Sequence, residues 1–221
     1  MKSHLFYQTR DRRPTLDRAE GIYMWDKDGK RYIDGSSGAM VSNIGHSNPN
    51  VLSAIKAQMD KSTFGYRLHF ETEPSERLAA KVAELSPEGH NKVFFVSGGS
   101  EAVESAVKLA RQYVYAKGEK SRSKIISRRP SYHGATLGAL ALTAYEPLNA
   151  PFRDITMDMP HIPAPTCYLD RDNLSDHDRG IKYADMLEEK ILDEGPENIL
   201  GFIMEPIGGA STGALVAPDS Y

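Results

Sequence analysis

Gly98-Gly99-Ser100 stands where an apolar run gives way to a helical pattern, and these residue types suit the binding of an anion. Val93-Phe94-Phe95-Val96 ahead of it reads as a buried strand, and Glu101 to Ala116 behind it as an amphipathic helix. Two adjacent glycines let the backbone turn sharply and approach a ligand with no Cβ in the way. Ser100 falls where an N-cap belongs. The first N–H groups of a helix have no partner inside it, and the helix dipole favours negative charge in front of them. A strand, a Gly-Gly-Ser turn and a helix in this order form a cup for a phosphate. The same turn can also do no more than reverse the chain. Neither G-x-G-x-x-G nor G-x-x-x-x-G-K-[ST] occurs, which sets aside a dinucleotide fingerprint and a P-loop.

Glu205 is the second residue whose position demands an explanation. It ends the apolar run Ile199 to Met204, where a carboxylate is costly unless something pairs with it. Backbone N–H groups at the strand end are one kind of partner, and a cation is another. Cys167 is the single cysteine, so no internal disulfide framework exists and a reducing compartment is expected.

The elements that must carry these residues follow from periodicity and punctuation. Residues up to about 18 read as irregular. Gly21 to Asp26 and Arg31 to Asp34 flank Lys27-Asp28-Gly29-Lys30, a hairpin signal with Asp-Gly in the turn. Gly35 to Gly45 is small and loop-like. Asn48-Pro49 starts a helix that shows Val51, Ile55 and Met59 at helical spacing, and a second helix from near Pro74 shows Leu78, Val82 and Leu85. After the cup come a short strand at Lys124 to Ser127, the loop Ser131-Tyr132-His133-Gly134 and an Ala/Leu-rich helix from about 135 to 144. Residues 145–178 are rich in proline and read as a long irregular excursion. Arg179 to Glu194 reads as a charged helix and Ile199 to Met204 as a buried strand. Strands and helices alternate from about residue 92, which predicts α/β architecture with a mainly parallel sheet.

Five segments, in order and spacing, resemble the class III aminotransferases, pyridoxal-phosphate enzymes of fold type I that include omega-amino acid:pyruvate transaminases. They are Gly21 to Asp34, Asn43 to Pro49, Ser97 to Ala102, Tyr132 to Gly134 and Met204 to Gly209. The resemblance implies that Gly99 and Ser100 bind the cofactor phosphate and that Tyr132 stacks on the pyridine ring, which fixes the cofactor plane. It places His133 beside the cofactor, in a packing or supporting role. It gives Glu205 a partner, an arginine from the C-terminal part that swings between this glutamate and a substrate carboxylate. Met40 and Tyr7 match positions near the substrate, and Phe64 and Tyr66 lie in a stretch that reaches the partner subunit's site. Gly98 stands where relatives often carry serine, so one hydroxyl contact is missing.

The resemblance also implies a Schiff-base lysine and an aspartate on the pyridinium nitrogen, both downstream of Glu205-Pro206. No lysine of this sequence stands in a matching context, so the catalytic residues are unknown here and the chain reads as the N-terminal half of a longer protein. Residues 1–60 are expected to be part of a small domain and 61–221 the first part of the large cofactor domain. The implied activity moves an amino group from an amine or omega-amino acid to a keto acid, pyruvate or 2-oxoglutarate, through pyridoxal 5'-phosphate. An aminomutase, a decarboxylating transaminase or a non-catalytic module are the alternatives. A homodimer is implied and no metal is called for. A net charge of −3 gives no general attraction to nucleic acid or acidic membranes, and the start of the chain lacks an apolar leader. With no apolar run of membrane-spanning length, a cytoplasmic location is expected.

Overall fold

Asp26 organises the first hairpin. Its carboxylate accepts the N–H groups of Asp28 (3.0 Å) and Lys30 (2.9 Å) and the hydroxyl of Tyr32 (2.7 Å), so one buried side chain folds the Asp-Gly turn and ties it to the next strand. The Tyr32 hydroxyl holds this carboxyl below its usual range. Around it runs an antiparallel sheet of β1 (Leu16–Glu20), β2 (Tyr23–Asp26) and β3 (Arg31–Ile33). The hairpin is the one read from the sequence, but β1 replaces the irregular start expected there. Its residues are mostly exposed and show no apolar alternation, so pairing with β2 rather than periodicity makes it a strand.

The computed structural model describes residues 4–7 and 10–221. The chain divides into two compact units, Met1–Val93 and Phe94–Tyr221. In the first unit, β3 is followed by a tight turn, α1 (Ser37–Met40), with left-handed residues inside it. Two helices, α2 (Pro49–Lys61) and α3 (Glu73–Leu85), complete the unit. Asn48 caps α2 as its position suggested: its side chain accepts the N–H groups of Asn50 and Val51, and Pro49 opens the first turn. The apolar stripes exist but are uncovered, since neither helix contains a buried residue.

The second unit begins with α4 (Gly99–Ala116). It continues through β4 (Lys124–Arg129), α5 (Leu137–Leu142), a single turn α6 (Glu146–Asn149), β5 (His161–Pro163), α7 (Asp176–Glu194) and β6 (Ile199–Phe202). The strand order is β5-β4-β6 with both pairings parallel, as the alternating pattern predicted. The central strand is buried over four successive residues, Ile125 to Arg128, which is how a strand covered on both faces reads. Ile126, Ile162 and Ile199, one from each strand, form the core, with Leu187 and Ile191 of α7 packed against them. Each isoleucine contributes about 1.5–3 kcal/mol of burial. The proline-rich excursion is less irregular than expected, because His161–Pro163 pairs with β4. α7 starts earlier than its apolar pattern, at Asp176, because Ser175 accepts the N–H of Asp178 as a cap.

A further expectation fails. Val93 to Val96 is not a strand, and Phe94, Phe95 and Val96 are 58%, 46% and 37% exposed. Apolar β-formers alone do not make a strand: the backbone needs a ladder partner, and no described strand pairs with this run.

Candidate functional site

The start of α4 and the loop after β4 meet at Gly134. This glycine has φ +138°, and a Cβ on it would lie 2.7 Å from the Ser100 hydroxyl oxygen, 2.7 Å from the Ala139 methyl and 2.9 Å from the Ser100 Cα. Only glycine allows so close an approach. Ser100 then accepts the N–H of Ala135 at 3.0 Å. Two motifs distant in sequence are thereby locked together.

This contact corrects the capping assignment. The helix begins at Gly99, and Gly98, in extended conformation, is the N-cap. Ser100 lies one residue inside the first turn with its hydroxyl turned to Ala135, so it caps nothing. The turn in front of the helix remains open. A Cβ at Gly99 would meet nothing within 4 Å, and one at Gly98 would meet only the Glu101 carboxylate at 3.7 Å. The N–H groups of this first turn have no acceptor within the helix. Open space, bare backbone and the positive end of an 18-residue helix coincide here.

The loop 131–135 is stitched in place along its length. Ser131 donates its hydroxyl to the Arg128 carbonyl at 2.5 Å. Tyr132 N–H reaches Glu205 Oε2 at 3.3 Å, and His133 N–H reaches Thr143 Oγ1 at 2.8 Å. The Thr143 hydroxyl donates onward to Gly134 O at 3.0 Å. Thr143 is fully buried, and sequence reading passed it over as part of an Ala/Leu helix. A hydroxyl in an otherwise apolar buried run was the available signal, because such a group must find partners. With its backbone fixed on both sides, Tyr132 remains 43% exposed as a residue. A fixed aromatic ring with an open surface can receive a flat ligand.

Glu205 uses both carboxylate oxygens on backbone, Tyr132 N–H and Gly209 N–H at 3.2 Å, and its own carbonyl accepts from the Arg128 guanidinium. Arg128 is itself buried, 5.9 Å from the centre of the Tyr221 ring. His133 is buried, its Nε2 has no partner among the described residues, and burial holds its pKa below the ordinary value against the opposing charge of Glu205. His161 Nδ1 lies 2.7 Å from the Ser127 hydroxyl, which donates its proton to Leu142 O, so His161 carries its hydrogen on Nδ1. Burial first, and then Arg129, lowers the His161 pKa to about 4.

The second unit therefore brings together Gly99, Ser100, Tyr132, His133 and Glu205. Met40 and Tyr7 belong to the first unit. Met40 is 68% exposed at φ +62°, and the Arg12 guanidinium lies 5.9 Å from the centre of the Tyr7 ring. Phe64 and Tyr66 are exposed in the loop between α2 and α3. Lys124, Lys182 and Lys190 are ion-paired, and the carboxylates hold their pKa values up. That is the reverse of what an amine nucleophile needs. Among the described residues no group of three His, Cys, Asp or Glu side chains could hold a metal, and no helix is long and apolar enough to cross a membrane.

Known proteins resemble this chain in sequence and in fold. The chain is 41% identical over 94% of its length to the uncharacterized aminotransferase YodT of Bacillus subtilis, and covers 47% of it. It is 35% identical over 93% of its length to a putrescine–pyruvate aminotransferase of Pseudomonas aeruginosa, covering 45%. The omega transaminase of Pseudomonas jessenii, solved in complex with PMP, superposes with a TM-score of 0.91 at 34% identity over 99% of this chain and 50% of its own. The chain spans about half the length of the curated relatives it matches. The sequence profile of the class-III aminotransferases matches residues 7–221, nearly the whole chain, and the chain belongs to that family.

Proposed function

We propose that this chain carries the phosphate- and ring-binding part of a transaminase that moves an amino group from an amine or omega-amino acid to a keto acid, with pyridoxal 5'-phosphate as cofactor. The Ser100–Gly134 contact carries the reading, because it sets an open helix N-terminus and a half-exposed aromatic ring on one fixed scaffold.

The residues fit the cofactor. The empty space at the Gly99 Cβ position suits a phosphate approaching bare N–H groups, and the Tyr132 ring has a free surface to cover a pyridine. When bound, that group supplies an electron sink for the carbon bearing the amine. The protein's part is positional. Gly99 and Ser100 anchor the phosphate end through backbone N–H groups, and Tyr132 fixes the ring plane. Glu205 and Thr143 hold the Tyr132–His133 backbone so that the ring cannot drift. His133 supports the same loop from its buried side. Met40 and Tyr7 are assigned to the substrate by the family resemblance alone, and a partner arginine for Glu205, a Schiff-base lysine and a pyridinium aspartate would come from the rest of the protein.

A relative named for putrescine and pyruvate favours pyruvate as acceptor. The protein is a homodimer with residues 1–60 in a small domain and 61–221 in the large one. Its lone cysteine suits the cytoplasm. The test is turnover of the full-length protein with pyridoxal phosphate, a panel of amines, and pyruvate or 2-oxoglutarate. Alanine or glutamate formed in step with amine loss supports the reading. Amine consumption that is indifferent to keto acid contradicts it.

A further inference from the structure

Arg128 sits on the central strand β4, opposite Ile162 of β5, and is only 2% exposed. A buried guanidinium is costly unless its hydrogen bonds are met, and it is ordinarily spent on a carboxylate. Here it donates to a main-chain carbonyl, Glu205 O, and among the described residues its Nε has no partner. The centre of the Tyr221 ring lies 5.9 Å from it. With so little surface the side chain cannot itself hold a ligand, so its use lies in what it fixes.

The contacts of Arg128 close on themselves. Arg128 O accepts the Ser131 hydroxyl at 2.5 Å. Tyr132, the next residue, donates its N–H to Glu205 Oε2 at 3.3 Å. The Glu205 carbonyl then accepts from the Arg128 guanidinium. β4, the loop after it and the segment after β6 thus form one circuit, in which the Arg128 main chain holds the loop and its side chain holds Glu205. Both bonds of the Glu205 carboxylate are long, 3.3 Å to Tyr132 N–H and 3.2 Å to Gly209 N–H. Such bonds alone would let a half-buried glutamate move, and an anchor on its main chain makes it a fixed acceptor. Thr143 grips the residues that follow, His133 and Gly134, so Tyr132 N–H depends on Glu205.

We infer that Arg128 is a positioning residue: through Glu205 it fixes the Tyr132 backbone, and so the angle at which the Tyr132 ring meets the cofactor. This rests on the reading of Tyr132 as the residue that covers the pyridine.

The experiment compares R128M, R128K and S131A, each alone and combined with Y132A, and Y132A by itself, in the full-length protein. Pyridoxal phosphate affinity, the visible circular dichroism of the bound cofactor, and amide hydrogen exchange over residues 131–135 without cofactor are measured. R128M fills the site with an apolar stem, a replacement that buried charges often tolerate. It is expected to speed exchange at Tyr132, to weaken pyridoxal phosphate about three- to fivefold and to shrink the dichroism of the bound form. In the Y132A background the same change is expected to weaken binding less than about 1.5-fold, because the ring it positions is gone. R128K keeps a donor for Glu205 O and recovers most of the loss. S131A cuts the circuit at Arg128 O and gives the R128M pattern, so the test stands even if R128M does not fold. Equal losses of affinity in the parent and Y132A backgrounds overturn the inference, because that is general damage. Faster exchange with unchanged affinity and dichroism overturns it as well. Parent-like affinity in Y132A by itself instead overturns the reading of Tyr132.

Discussion

Replacing Gly134 by alanine should destabilise the cofactor unit by about 3 kcal/mol or more. Two effects add. The backbone sits at φ +138°, a region where a residue with a Cβ carries roughly 1–3 kcal/mol of strain. The new methyl would also lie 2.7 Å from the Ser100 oxygen and the Ala139 methyl and 2.9 Å from the Ser100 Cα. The last of these is backbone and cannot rotate away, and overpacking of this kind costs about 1–3 kcal/mol. If Ser100 retreats, its bond to Ala135 N–H breaks as well, for about 1 kcal/mol more. Gly99→Ala is the control. Its methyl would meet nothing within 4 Å, so stability should hold or rise by about 0.5–1 kcal/mol as a helical glycine is replaced. Urea unfolding of the full-length protein without cofactor, followed by circular dichroism, measures both. A G134A midpoint within about 0.5 kcal/mol of the parent would refute the contact between the two motifs.

Other outcomes follow from the same geometry. Tyr132→Ala should weaken cofactor binding about fivefold, matching about 1 kcal/mol for a lost stacking contact, with little change in unfolding midpoint, since the residue is exposed; absorbance titration checks it. Thr143→Val should destabilise by about 1–3 kcal/mol in urea unfolding, because it leaves His133 N–H buried and unpaired. His161 gives a pH dependence of definite sign. Its folded pKa is about 4, below the ordinary value of 6.5, so above pH 6.5 it contributes nothing. As pH falls from 6.5 towards 4 the unfolded chain takes up a proton that the folded one refuses, and stability drops by up to about 3 kcal/mol. His161→Gln should flatten the unfolding free energy across that window, and an unchanged slope would contradict the half-buried, neutral histidine.

The legibility of the site divides by the range of the forces involved. Gly99 and Glu205 stand out because a glycine pair before a helical pattern and a carboxylate at a strand end announce themselves locally, whereas Tyr132 alone reads as an ordinary loop tyrosine and is singled out only by the family resemblance. The parallel sheet was readable because Ile125-Ile126 and Ile199-Leu200 are apolar runs between helical patterns. What escaped was set by partners distant in sequence. Ser100 looks like a cap until Ala135 claims its hydroxyl. Thr143 looks like part of a helix until His133 and Gly134 need its oxygen. His161–Pro163 looks like loop, and only the edge of β4 makes it a strand. Val93 to Val96 errs the other way: its composition says strand, and no described strand pairs with it. Asp34 and His46 belong to two separate motif segments, and only the fold brings His46 Nε2 to 2.8 Å from Asp34 Oδ2.

The central claim is that the open first turn of α4 holds the cofactor phosphate, and Gly99→Val tests it without disturbing the fold. A branched side chain at that position enters space that is empty of protein and would contain the phosphate. Pyridoxal phosphate should bind the variant at least about tenfold more weakly than the parent, a difference of about 1.4 kcal/mol, while the unfolding midpoint without cofactor stays the same. Equal affinity in the two proteins, measured by titration at matched pH and salt, would place the phosphate elsewhere and contradict the account.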